Sequence, residues 1–192
     1  MADQEDGIVV QEIKDPSGKL LRTVSMKNGV PQGETQIFDD NGQLSGKLNY
    51  ENGELSGPAE FYFSGKPTML ASFTNGKLEG EAALFSNGVK VGLANFKNGL
   101  FDGVFTSYDN AGAVIRIANY AGGLQNGECK TFFPDGTLME HSTYKDNQLD
   151  GEATRYFPSG NVMEISKYRN GKQLAVETYD EDGDLVSSKE IE

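Results

Sequence analysis

Between regularly spaced glycines this chain runs in segments of about five to seven residues in which side chains of different character take alternate places. The residue three before one series of glycines is Met26, Tyr50, Phe73, Phe96, Tyr120, Tyr144 or Tyr168. Its N-terminal neighbour is Ser25, Asn49, Ser72, Asn95, Asn119, Thr143 or Lys167. Adjacent residues of a strand point to opposite faces, so this segment carries an aromatic ladder on one face and a small polar ladder on the other. A helix would set such neighbours about 100° apart, and nothing here repeats at that period. A second aromatic column, Phe38, Tyr62, Phe85, Tyr108, Phe132 and Tyr156, marks the other segment of each unit. The pattern predicts strands throughout.

The glycines set the repeat. One series, Gly18, Gly42, Gly65, Gly88, Gly112, Gly136, Gly160 and Gly183, advances in steps of 23 or 24. A second falls 11 residues later each time: Gly29, Gly53, Gly76, Gly99, Gly123, Asn147 and Gly171. A third follows four residues after that: Gly33, Gly57, Gly80, Gly103, Gly127, Gly151 and Ala175. All variation in length therefore falls in one turn. Asn at position 147 implies positive φ at the second series, since Asn tolerates a left-handed backbone better than other non-glycine residues. Asn-Gly, Asp-Gly and Ser-Gly pairs between β-prone runs predict tight hairpins. The expected fold is all-β: an elongated single-layer antiparallel sheet, an open β-meander of about seven and a half hairpin repeats of 23–24 residues. Roughly fifteen strands at ~4.8 Å spacing would extend on the order of 70 Å, less what twist removes. Rings stacked from repeat to repeat are expected to supply the buried apolar surface that one hairpin lacks. The expected organisation is an acidic N-terminal tail or cap over 1–14, a repeat domain over 15–186 and a C-terminal tail over 187–192.

Composition narrows function. With 24 glycines, 8 tyrosines, 11 phenylalanines and no tryptophan, the chain is neither collagen-like nor disordered. The formal charge of −12 is concentrated at the ends: residues 1–6 carry −3 and residues 177–192 carry −6. The nearly neutral body has no basic stripe for nucleic acid. One cysteine excludes intrachain disulfides. No run resembles a signal peptide or approaches the ~20 apolar residues of a membrane-spanning helix. A cytoplasmic location is expected.

The string Tyr50-Glu51-Asn52-Gly53-Glu54-Leu55-Ser56-Gly57, followed by aromatics and a further turn, resembles the MORN repeat. It is similar in particular to the bacterial variant repeat of YwqK-type antitoxins, over about residues 15–186. The resemblance implies a non-enzymatic protein that neutralises a toxin by binding it. Eukaryotic MORN proteins act as scaffolds or associate with lipid, but this chain lacks their tryptophan and any basic cluster for anionic lipid.

No catalytic centre is expected. His141 is the only histidine, and a triad or Cys–His pair needs a partner for it. Cys129 takes the place filled by Thr35, Ala59, Ala82 and Ala153 in other units, so it is expected to be a small packed residue. One Cys and one His make no zinc site. Glu34, Glu81, Glu128 and Glu152 recur once per repeat, as solvated turn residues do and a catalytic pair does not. Asp180-Glu181-Asp182-Gly183-Asp184 has its glycine too early for a calcium loop. Neither metal nor cofactor is expected.

The expected function is that of an antitoxin or immunity protein, with Tyr108, Tyr120, Tyr144 and Tyr156 as contact residues and Asp180, Glu181, Asp182 and Asp184 steering a basic partner. The alternatives are a scaffold that binds a non-toxic protein or assembles through its edges, and a carbohydrate- or lipid-binding repeat protein. The turn glycines Gly29, Gly33, Gly53, Gly57, Gly76, Gly80, Gly99, Gly103, Gly127 and Gly151 are assigned a structural role.

Overall fold

The computed structural model describes residues 7–191, and all regular structure there is strand. The strands are β1 (Ile8–Lys14), β2 (Leu20–Lys27), β3 (Val30–Phe38), β4 (Leu44–Glu51), β5 (Glu54–Leu55), β6 (Gly57–Phe63), β7 (Lys66–Thr74), β8 (Lys77–Leu78) and β9 (Gly80–Ser86). They continue as β10 (Val89–Lys97), β11 (Leu100–Tyr108), β12 (Val114–Ala121), β13 (Leu124–Phe132), β14 (Leu138–Lys145), β15 (Gln148–Tyr156), β16 (Val162–Arg169), β17 (Lys172–Tyr179) and β18 (Leu185–Glu190). Together they form one open antiparallel sheet of 18 strands in a hairpin meander. β5–β6 and β8–β9 are each one strand interrupted by a bulge, where the Ser56 and Glu79 amides donate to Asn49 and Ser72 carbonyls. The chain divides within β10 into two compact units, residues 1–90 with 96–99 and residues 91–95 with 100–192.

The sheet extends further at both ends than the sequence suggests. Ile8–Lys14, assigned above to an N-terminal tail, is a strand paired with β2, because its β-branched residues continue the ladder. Leu185–Glu190 likewise pairs with β17. The repeats are therefore eight hairpins, one at each glycine of the first series. Residues 1–6 of the proposed tail lie outside the described residues.

The two kinds of turn have different work. At the second series both central residues have positive φ, as in Asn28-Gly29 (51°, 81°) and Asp146-Asn147 (49°, 67°), the type I′ geometry that suits a hairpin's twist. These turns are stitched to the preceding repeat: the amides of Gly123, Asn147 and Gly171 donate to the carbonyls of Phe101, Gln125 and Leu149. A change of length there would break that ladder, so the spacing does not vary. The first-series turns make no such bond and vary freely. Ser64-Gly65 and Asn87-Gly88 are two-residue turns, whereas Asp15, Asp39, Asp109 and Asp180 each open a longer loop. In that loop the aspartate Oδ1 accepts amides two and four residues on, as Asp109 does from Ala111 and Ala113.

The third-series glycines sit in bulges. Between the pairs Ser142↔Ala153 and Tyr144↔Leu149, three residues including Gly151 oppose Thr143 alone. Gly127 (φ 105°) and Gly151 (φ 115°) adopt a backbone that other residues rarely take, and each bulge passes over the polar ladder of the strand beside it. The amides of Asn49, Asn95 and Asn119 donate from that ladder to the carbonyls of Pro58, Val104 and Glu128. Where Ala175 replaces the glycine, the bulge shortens to one extra residue, between Lys167↔Ala175 and Tyr168↔Gln173.

Most of the buried residues are small and lie in a row across the strands, Leu48 being larger, while Gln125 and Thr154 are buried outside that row. In the second unit the row runs Ala118↔Cys129↔Ser142↔Ala153↔Ser166↔Val176, and the first five are at most 8% exposed. In the first unit it includes Val24, Thr35, Leu48, Ala59 and Ala71. The aromatic ladder shares this face and is half-buried, so the rings roof the row and face outward as well. Gln11 opens the row opposite Val24, and Lys189 ends it opposite Val176. A long polar side chain in a slot otherwise given to apolar or small residues ends the packing at each edge strand.

Candidate binding face

Alternation places Tyr120, Tyr144 and Tyr168 on the face of the small buried row, each opposite a residue of the next strand: Gln125, Leu149 and Gln173. Phe105 stands in that row opposite Ala118, in a slot small in other repeats. Its ring meets Phe101 at 6.0 Å and Tyr120 at 6.3 Å, and Phe101 meets Tyr120 at 5.3 Å. This aromatic trio lies beside Arg116, two residues before Ala118 on β12.

Arg116 is held from two sides. Its Nε donates to the Cys129 sulfur at 3.4 Å and its terminal nitrogen to Gln125 Oε1 at 3.0 Å. The Gln125 amide is further fixed by its own backbone N–H, which donates to Asn147 Oδ1 at 2.7 Å. The bond to Cys129 raises the pKa of the guanidinium, with burial acting the other way. Burial, and after it Cys129 and Glu140, raises the Tyr144 phenol above its ordinary value. The result is an oriented cation between tyrosines, with N–H groups left over for a carboxylate. One buried amide nitrogen, Gln125 Nε2, has no partner among the described residues.

Further along the same face, Glu140, Leu149, Ala153, Ser166 and Tyr168 line a cleft of about 280 Å³ across which Arg155 pairs with Glu164. On the opposite face Lys130 lies 3.0 Å from Glu128, with His141 at 3.8 Å. Lys130, and after it His141, holds the exposed Glu128 carboxyl below its usual range.

The residues singled out in the sequence fall into three places. Tyr120 and Tyr144 flank Arg116. Tyr108 and Tyr156 pair with Val114 and Val162, and Val114 lies six residues, about 20 Å at ~3.3 Å per residue, from Tyr120 along β12. Tyr156 lines an apolar cleft of about 420 Å³ with Phe133, Met139, Phe157 and Met163. Asp180 is engaged in its own turn, accepting the amides of Asp182 and Asp184, while Glu181, Asp182 and Asp184 are exposed. Cys129 is buried and free. Sequence reasoning passed over Arg116, Gln125 and Phe105. Aligning the repeat columns exposes two of them: Phe105 breaks a small column, and Arg116 shares its slot with Arg22 alone, where other repeats have Gly46, Met69, Gly92, Glu140 and Glu164.

Fold and face thus define an open hairpin-repeat sheet with a patterned aromatic surface. Three segments, residues 31–52, 125–146 and 149–170, match the MORN repeat variant family. These are β3–β4, β13–β14 and β15–β16, each up to the first central residue of its closing type I′ turn. The chain therefore carries MORN-variant repeats in three places. Among curated proteins none matches it. Among solved structures it is similar to a chain of the crystal structure of TcdB2-TccC3, at 14% identity and a TM-score of 0.21. That match covers 91% of this chain and 14% of the other, so this chain spans a small part of that protein's length.

Proposed function

We propose that this protein is a non-enzymatic protein-binding module of the cytoplasm, and that it neutralises its partner as an antitoxin or immunity protein. The observation that carries the binding reading is the pre-oriented Arg116 between Tyr120 and Tyr144, beside the Phe101–Phe105 rings. Tyrosine and arginine fixed in advance lose little freedom on binding and dominate interface energetics elsewhere. The antitoxin reading adds the sequence resemblance and the acidic C-terminal hairpin, whose exposed Glu181, Asp182 and Asp184 suit the approach of a basic partner. Gln11 and Lys189, which end the buried row, speak against assembly through the sheet edges, one form of the scaffold alternative.

The test is capture from the native host with the tagged full chain, followed by co-expression with the captured protein. A stoichiometric toxic partner whose toxicity this chain relieves, and whose capture Arg116→Ala weakens at least tenfold, supports the reading. A non-toxic partner makes the protein a scaffold instead.

A further inference from the structure

The first repeat departs from the others in its aromatic column. Met26 stands where later repeats have a ring, and Pro31 faces it across the ladder. In the fifth unit the corresponding pair is Tyr120 and Gln125, and Arg116 closes over the gap by bonding Gln125. In the first repeat the gap stays open as a cleft of about 190 Å³, walled by Ile13, Val24, Met26 and Pro31, with Gln11 and Tyr50 beside them. Arg22, exposed, stands in its rim.

Thr35 also lines this cleft, 3% exposed, and its hydroxyl has no hydrogen-bond partner among the described residues. The same slot holds Ala59, Ala82, Cys129 and Ala153 elsewhere, residues that need no partner. A buried, unpaired hydroxyl in the lining of a mainly apolar cleft is a standing cost that a ligand atom of matching chemistry removes.

We propose that this cleft is an anchor site for a tyrosine side chain of a protein partner. The ring lies against Met26 and Pro31, the phenol reaches Thr35, and the Arg22 guanidinium closes over the ring's outer part. Each wall selects for that occupant. Ile13, Val24, Met26 and Pro31 offer no partner to a charged tip, and Arg22 stands only in the rim. A phenylalanine leaves Thr35 unpaired, while serine or threonine leaves most of the volume empty. Thioether sulfur packs favourably on aromatic rings, and a guanidinium over a ring face adds a cation–π contact. The site rests on the protein-binding reading only for what carries the ring.

The probes are p-cresol and toluene, titrated into the full chain and followed by amide chemical shifts. The expected result is saturable shifts at Val24, Met26, Thr35 and Tyr50, with p-cresol binding about fivefold tighter than toluene, the value of one neutral hydrogen bond. Thr35→Val, which keeps the shape, removes that preference. Met26→Tyr, which restores the ring of the other repeats, abolishes both. No saturable shift at these residues, or a p-cresol preference that survives in Thr35→Val, overturns the site. Because neither probe requires the partner, that failure is separate from a failure to capture one, which bears on the protein-binding reading alone.

Discussion

Gly127 and Gly171 both have positive φ, yet the structure assigns them opposite tolerances to substitution. Gly127 sits in a bulge at φ 105°, and a Cβ built there meets Asn119 Cβ at 3.3 Å. Gly171 sits in a type I′ turn at φ 77°, and its Cβ meets Gln148 Cβ at an ordinary 3.7 Å. The equivalent turn position in the preceding repeat is already an asparagine, Asn147 at φ 67°. A sparsely populated backbone region costs of order 1–3 kcal/mol, and at Gly127 the close Cβ contact adds to it. Gly127→Ala is therefore expected to cost about 2–3 kcal/mol, and Gly171→Asn under ~1 kcal/mol, since asparagine visits the left-handed region readily. At roughly 2–4 °C per kcal/mol for a chain of this size, the thermal midpoint should fall by about 4–12 °C for the first and no more than ~4 °C for the second. Circular dichroism melts with urea titrations as a check measure both. Adding Asn119→Gly to Gly127→Ala, measured against Asn119→Gly alone so that the lost bond to Glu128 cancels, separates the two causes, because it relieves the crowding but not the backbone strain. Partial recovery is expected. Equal losses for the two single variants would refute the assignment of the third series to bulges that require glycine.

Tyr120→Ala removes a half-buried ring from contact with Phe101 and Phe105 and should cost about 2–3 kcal/mol; an unchanged urea midpoint would mean the ring only faces solvent. Burial raises the Tyr144 phenol above its ordinary value, so folding favours the protonated ring. That contribution is whole below about pH 10 and is lost as pH climbs through the folded pKa; Tyr144→Phe should therefore show a smaller alkaline loss of stability in pH-dependent urea titrations. Gln11 and Lys189 close the buried row at its two edges, so the double variant Gln11→Ala, Lys189→Ala should self-associate in sedimentation velocity at concentrations where the parent chain does not.

The sequence by itself determined the period, the turns and the strands between the two ends, but not the edge strands β1 and β18. Each depends on local chemistry: which residues accept positive φ, and which alternate with period two. The constant spacing from Gly29 to Gly33, and from Gly53 to Gly57, was legible as a repeat, but its cause was not. Only the tertiary structure shows Gly53 donating to Pro31 and Gly76 to Leu55 of the preceding repeat, bonds between residues far apart in the chain. Register likewise decided that the fully buried residues are small ones such as Ala118 and Ser142, with the rings as their roof. A column of aromatics invites the opposite reading, because hydrophobicity ranks the ring above the alanine while accessibility depends on what lies across and beside it. Arg116 shows the same limit. Nothing local marks it out, and its role arises from Cys129 and Gln125 on the neighbouring strand, which the meander brings alongside.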